Sequence, residues 1–179
     1  AKANPGKLTY ASGGVGTGNH LSAELFRITA GIDLVHVPYK GASQALTDVL
    51  AGRIQVWIIN LLPAMPHVKA GRVRALALTS AQRSQAAPDI PTVAESGYPT
   101  YETTSWHGIL VPAKTPPAVI KRLNAELAKI ARQPDVRELL SAQGSDVIGS
   151  TSEQFAEKIR SETAKWGQVI RTAGIKPEL

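Results

Sequence analysis

The chain has no cysteine. That excludes disulfides, thiolate metal centres and a cysteine nucleophile, and leaves the compartment undecided. Aromatic residues make up only 5%, too few for the interleaved basic and stacking surface that nucleic acids need. No apolar run approaches the ~20 residues that span a bilayer, and the opening Ala1–Gly6 is too short and polar to be a signal peptide. Internal repeats and low-complexity segments are missing as well. The formal charge of +6 is scattered over Lys40, Arg53, Lys69, Arg72, Arg74, Arg83, Lys121 and Arg122, with no basic block. Its plain meaning is a solvated basic surface, which also draws a small anion toward a pocket. With 179 residues, 43% hydrophobic and 19% charged, the composition is that of one globular domain or two small lobes.

The most informative stretch is Lys7–Leu21. A strand-type run, Leu8-Thr9-Tyr10, enters Ser12-Gly13-Gly14-Val15-Gly16-Thr17-Gly18-Asn19, and a helical pattern begins near His20. Four glycines in six positions let the backbone turn sharply and bring its N–H groups close to a ligand. The following helix adds unpaired amides and the positive end of its dipole. Two readings stand: a plain strand-to-helix turn, or a seat for a carboxylate or phosphate. The dinucleotide fingerprint fails because Asn19 stands where its last glycine belongs. The P-loop fails because Gly18 is followed by Asn19-His20.

Other chemistries find less support. His20, His36, His67 and His107 include no i, i+4 pair and no carboxylate cluster, so no metal site is expected. His36 alternates with apolar neighbours as a packing or surface residue would. His20 opens a helix beside the loop, as a cap or a ligand contact. Ala11-Ser12-Gly13-Gly14 is not a nucleophile elbow, and Glu24, Asp33, Asp48 and Glu95 show no acid–base pairing. No cofactor is implied, and nothing argues for an enzyme. Trp57, Trp106 and Trp166 read as core.

The remaining pattern alternates strands and helices. A helix ending at Gly31 leads to a strand over Ile32–Tyr39. Lys40-Gly41-Ala42-Ser43 then forms a second tight loop, with Ser43 as N-cap of a helix from Gln44 to Ala51. Ile54–Ile59 reads as a strand covered on both faces, and Asn60 closes it as a turn former or ligand donor. Pro63 and Pro66 bracket the start of a short helix reaching Ala70, and Arg74–Thr79 reads as another buried strand. This order means a parallel α/β sheet. It places the loops Ser12–Asn19, Lys40–Ser43 and Asn60–Pro63 on one edge, where ligands of open α/β sheets bind. Residues 80–99 read as an irregular connector and Trp106–Pro112 as a strand. Three amphipathic helices follow: one capped by Thr115 through Ile130, one over Asp135–Ala142 and one over Ser152–Thr172.

The blocks LTYASGGVGTGNHLSAELF, VPYKGASQALTDVLAGRIQ, LPAMPHVKAGRVRALALTS, DIPTVAESGYPTYETTSWHGILVPAKTPPAVIKRLNAEL and EKIRSETAKWGQVIRTAGIK occur in an order that resembles the periplasmic substrate-binding proteins of tripartite tricarboxylate transporters, the Bug family. The resemblance implies a type II periplasmic-binding-protein fold, here mostly one α/β lobe plus C-terminal helices. It implies that residues 7–98 form ligand-binding lobe two, with 99–179 as a crossover strand and helices of an incomplete lobe one. The chain is then expected to lack the leader and the first half of lobe one, so that ligand binding is weakened or lost and exposed apolar helix faces favour self-association.

Carried over by position, the ligand contacts fall on Ser12, Gly14, Thr17 and Asn19, on Lys40, Gly41, Ala42 and Ser43, and on Asn60. Many relatives carry Asp just before that Asn, where this chain has Ile59; a di- or tricarboxylate or an aromatic carboxylate is therefore expected over an amino acid. The implied function is periplasmic capture of that acid and its delivery to membrane permease subunits. Its rivals are a ligand sensor serving a signalling partner and, less favoured, an enzyme acting on small organic acids.

Overall fold

The computed structural model describes residues 1–143 and 145–176. Gly144 and residues 177–179, part of the expected second lobe, lie outside the described residues. The described chain divides into two compact units. The first comprises 1–105 and the end of the chain from Trp166, and the second comprises 106–165.

The first unit is built on three short parallel strands: β1 (Thr9–Ser12), β2 (Val35–Pro38) and β3 (Val56–Trp57). They lie in the order β2-β1-β3, with Tyr10 opposite both His36 and Val56. Helix α1 (Gly18–Ala30) connects β1 to β2, and α2 (Ala42–Leu50) connects β2 to β3. Because side chains alternate across a strand, neighbouring residues of β1 serve opposite faces. Tyr10 packs with Ala23 of α1 and Leu34 on one, while Ala11 packs with Ala45 of α2 and Ile54 on the other. The sheet is thus covered on both faces by its own crossover helices.

Local chemistry sets the boundaries. Gly31 ends α1 in the left-handed region (φ 59°), and its N–H bonds back to the carbonyls of Arg27 and Ile28. The N-cap of α2 is Gly41 rather than Ser43, which already sits in the first turn. Helix α3 spans Leu61–Lys69 with Pro66 inside it. The apolar run Ile54–Ile59 yields only two paired residues. β3 is an edge strand bonded to β1 alone, and the Ile58 carbonyl accepts from the side chain of Asn19 instead.

Arg74–Thr79 does not form the expected strand. Its β-pairing is a single bridge from Leu78 to Thr92, and the neighbouring Pro91 has no N–H to extend a ladder. Leu76 is 66% exposed. The connector beyond closes on itself: Thr92 N–H donates to Glu95 Oε2 (2.8 Å) and Glu95 N–H donates to Thr92 Oγ1 (3.1 Å), a capping-box exchange. Tyr101 then straps the segment to α1. Its buried hydroxyl donates to the Ser22 carbonyl (3.1 Å), and its ring meets Phe26 edge-on.

The second unit contains α4 (Pro117–Ala131), α5 (Pro134–Ala142) and the larger part of α6 (Ser152–Ala173). Pro116, not Thr115, is the N-cap of α4. The expected strand Trp106–Pro112 has no β-partner among the described residues, and Ile109 and Leu110 are exposed. Gly108 is obligatory here, since a Cβ on it would overlap the Phe155 ring. Among the described residues no helix is long and apolar enough to cross a membrane.

Candidate carboxylate site at the strand ends

The chain leaves β1 toward β2 on one side and later crosses to β3 on the other. The crevice beyond the carboxyl ends of β1 and β3 is therefore a topological switch point, where open α/β sheets hold their ligands. A hollow of about 200 Å³ lies there, lined by Gly13, Asn19, Ala42, Trp57, Ile59, Asn60 and Pro63. All three loops singled out in the sequence contribute to it.

Three helices begin at this hollow. Asn19 is the second residue of α1, Ala42 the first of α2, and Asn60 the N-cap of α3. None of these N-termini has a side-chain cap, and none carries an acidic residue in its first turn. Unclaimed helical amides and three positive dipole ends thus face one small volume, which favours negatively charged oxygen. Pro63 removes one donor from α3, so the amides of α1 and α2 dominate. Trp57, expected in the core, also walls the hollow, and its indole N–H is buried with no protein partner.

The predicted residues take different stations. Asn19 and Ala42 line the hollow directly, as does Asn60, whose Oδ1 accepts from Ser105 Oγ at 3.4 Å. Lys40 and Ser43 are exposed beside it, flanking Gly41. Gly14 adopts φ 125°, and a Cβ there would meet the Tyr39 carbonyl at 3.8 Å. Thr17 turns its hydroxyl inward, donating to the Gly14 carbonyl at 2.7 Å. Ser12 is fully buried. Its Oγ accepts from the Gly14 N–H (3.1 Å) and lies 2.6 Å from His36 Nε2. Ser12 and Thr17 therefore shape the loop from within.

Beneath the loop lies a cluster that sequence reading does not assemble. His20 and His36 stack with ring centroids 4.0 Å apart, and Tyr10 stacks on His36 at 4.9 Å. Tyr10 Oη donates to buried Glu24 (2.5 Å), which also pairs with Arg27 (3.1 Å). Burial, and then the Glu24 hydrogen bond, hold the Tyr10 hydroxyl above its ordinary range. Burial and the facing His20 push His36 down to about 4, and burial also lowers His20. Among the described residues no three His, Asp or Glu side chains are placed to hold a metal ion.

A doubly covered parallel sheet with uncapped helix ends at its switch point is the architecture in which open α/β proteins hold small ligands. The comparisons with known proteins give its family. Residues 1–175 match the "Tripartite tricarboxylate transporter family receptor", and the chain belongs to that family. Its members are receptors, not enzymes. The UPF0065 protein in the tcbD-tcbE intergenic region of Pseudomonas sp. (strain P51) is 42% identical over 171 residues, 95% of this chain and 51% of that protein. Protein BugT of Bordetella pertussis is 34% identical over 175 residues, 98% of this chain and 54% of the relative. The chain spans about half the length of these two relatives.

Among solved structures, R. palustris Rpa4515 with adipate superposes with a TM-score of 0.83 at 35% identity, over 99% of this chain and 60% of that one. MatC from Rhodopseudomonas palustris with bound malate gives a TM-score of 0.72 at 28% identity, over 92% of this chain and 57% of that one. Periplasmic binding protein BugD shares the fold as well, with a TM-score of 0.78 at 28% identity over 99% of this chain and 60% of that one.

Proposed function

We propose that the chain captures a small di- or tricarboxylate, or an aromatic carboxylate, in the periplasm and delivers it to the membrane permease subunits of a tripartite tricarboxylate transporter. The observation that carries this reading is the convergence of three uncapped helix N-termini, free of first-turn acids, on one hollow. The adipate and malate held by two solved relatives support the ligand class. Residues 7–98 act as the ligand-binding lobe, with the hollow at its strand ends as the site.

Backbone amides of Asn19, Gly41, Ala42 and Ser43 replace water around the carboxylate oxygens, while Gly14 and Thr17, whose amides donate to Ser12 Oγ and to the Gly14 carbonyl, give the loop its shape. Lys40 adds charge at the rim, and Asn60 supplies a side-chain amide. Ile59 on the wall offers no counter-charge to an ammonium, which disfavours amino acids.

Isothermal titration of the full-length protein with adipate, malate and glutamate tests this. The dicarboxylates are expected to bind and glutamate is not; tight binding of the amino acid alone would overturn the reading. Ala42→Asp adds a carboxylate at the hollow and is expected to weaken dicarboxylate binding about tenfold. The same change places an acid in the first turn of α2, so thermal stability should hold or rise.

A further inference from the structure

We infer that the stacked pair His20 and His36 is a proton-operated latch for the glycine loop, with His20 as the residue that holds the loop in its binding shape. Two hydrogen bonds connect the pair to the loop. The Gly16 N–H donates to His20 Nδ1 at 3.0 Å, and His36 Nε2 lies 2.6 Å from Ser12 Oγ, which itself accepts from the Gly14 N–H.

The first bond fixes the protonation state. Nδ1 accepts from an N–H, so His20 is neutral with its proton on Nε2. A proton arriving at Nδ1 would turn the acceptor into a donor facing a donor, and the Gly16 bond would be lost. The second ring, 4.0 Å away, makes a positive charge on either imidazole unfavourable to the other. Gly16 has φ 76° and sits in the turn that the Thr17 N–H and hydroxyl close on the Gly14 carbonyl, and its own amide is the link from that turn to His20.

The surrounding charges come from several elements. Glu24 and Arg27 of α1, Tyr10 of β1, Asp33 before β2 and Lys176 after α6 face the same open depression of about 550 Å³ or the rings themselves. Glu24 is already committed to Tyr10 and Arg27, and Arg27 also reaches Asp33 at 3.0 Å. The Glu24 carboxylate still favours a proton on either ring, and burial outweighs it at both. Burial, joined at His36 by the facing His20, keeps both histidines neutral at neutral pH.

The consequence for ligand capture rests on the carboxylate reading; the latch itself does not. Nitrogen-15 NMR of the full chain without ligand, from about pH 8 to about pH 4, tests the latch alone. The expected results are a His20 Nε2–H tautomer at neutral pH and Gly14 and Gly16 amide signals that move with the imidazole midpoint. Ala45 and Ile54, on the other sheet face, should stay fixed.

His20→Asn keeps an acceptor near the Gly16 amide without titrating, and His36→Gln does the same toward Ser12. The double variant should retain the neutral-pH loop signals and lose the acid step. His20→Leu should expose the Gly16 amide to exchange at least tenfold faster at neutral pH; if it does not fold, the Asn variant carries the test. A proton on Nδ1 at neutral pH, an unmoved Gly16 signal, an acid step surviving in the double variant, or Ala45 and Ile54 moving with the loop would each overturn the latch.

Adipate titration adds the linked effect. Affinity should fall roughly tenfold more on acidification in the native chain than in the double variant, the linkage of about one pKa unit. Protonation of the adipate is common to both proteins and cancels. Loop titration with no dicarboxylate bound at any pH would support the latch and sink the carboxylate reading. Adipate binding with the same pH dependence in both proteins, over an unmoved loop, would do the reverse.

Discussion

The two compact units solve the burial problem differently. Every fully buried apolar residue described, from Tyr10 and Ala11 through Tyr101 to Val169, belongs to the first unit. In the second, the buried residue is Glu162, while Val119, Leu123, Leu127 and Ile130 leave the apolar stripe of α4 exposed. A three-stranded sheet gathers residues distant in sequence into a small interior. The helices of the second unit, by contrast, satisfy their backbones internally and bury little side chain. Stability and site geometry therefore concentrate in the first unit.

Truncations of equal severity give the largest contrast. Tyr10→Ala removes a ring 1% exposed together with the hydroxyl that satisfies Glu24, and should cost about 3–5 kcal/mol. Leu127→Ala, on the exposed face of α4, should cost less than about 1 kcal/mol. Urea unfolding of both variants measures the difference, and equal losses would break the contrast.

The pH dependence of stability should come next in size. A His36 pushed from 6.5 to about 4 binds fewer protons in the folded chain than in the unfolded one between those values. Stability is therefore unpenalised above about pH 6.5 and declines as pH falls toward about 4. His36→Gln should flatten that part of the curve, read by thermal melts at a series of pH values.

The smallest effect sharpens the picture within the loop. Gly14→Ala forces a side chain into φ 125° and should cost about 1–2 kcal/mol. Gly18→Ala, in the first turn of α1 with open space for a Cβ, should be neutral or slightly stabilising. Similar melting temperatures for the two would show that the loop backbone is not held in its present form.

Sequence patterning reveals the parallel α/β order, because glycine stops and strand-type runs are local signals. It also places three loops on one edge, since chain order and short connections leave parallel strands few other arrangements. Pairing is harder to read. Ile54–Ile59 and Trp106–Pro112 are apolar enough for strands, but hydrophobicity reports a tendency toward burial and not the presence of a partner with free ladder groups. Within the site, Asn19 and Ser12 stand as ligand contacts through the family resemblance. Their partners within the chain, Ile58 and His36, lie 39 and 24 residues away and depend on strand register. The stacked histidines are hidden for the same reason, since nothing local sets β2 opposite β1 with His36 beside Tyr10.

The bond from Asn19 to the Ile58 carbonyl (2.7 Å) joins an amide side chain to main chain. Residue 58 is thus held by what every amino acid possesses, and its side chain is free to drift in identity so long as it suits the apolar cluster. Position 19 has no such licence, because the same reach and donor are found in few side chains. Two neighbours in space are therefore under unequal constraint, and the start of α1 stays tethered to the end of β3 through changes that leave the tether itself untouched.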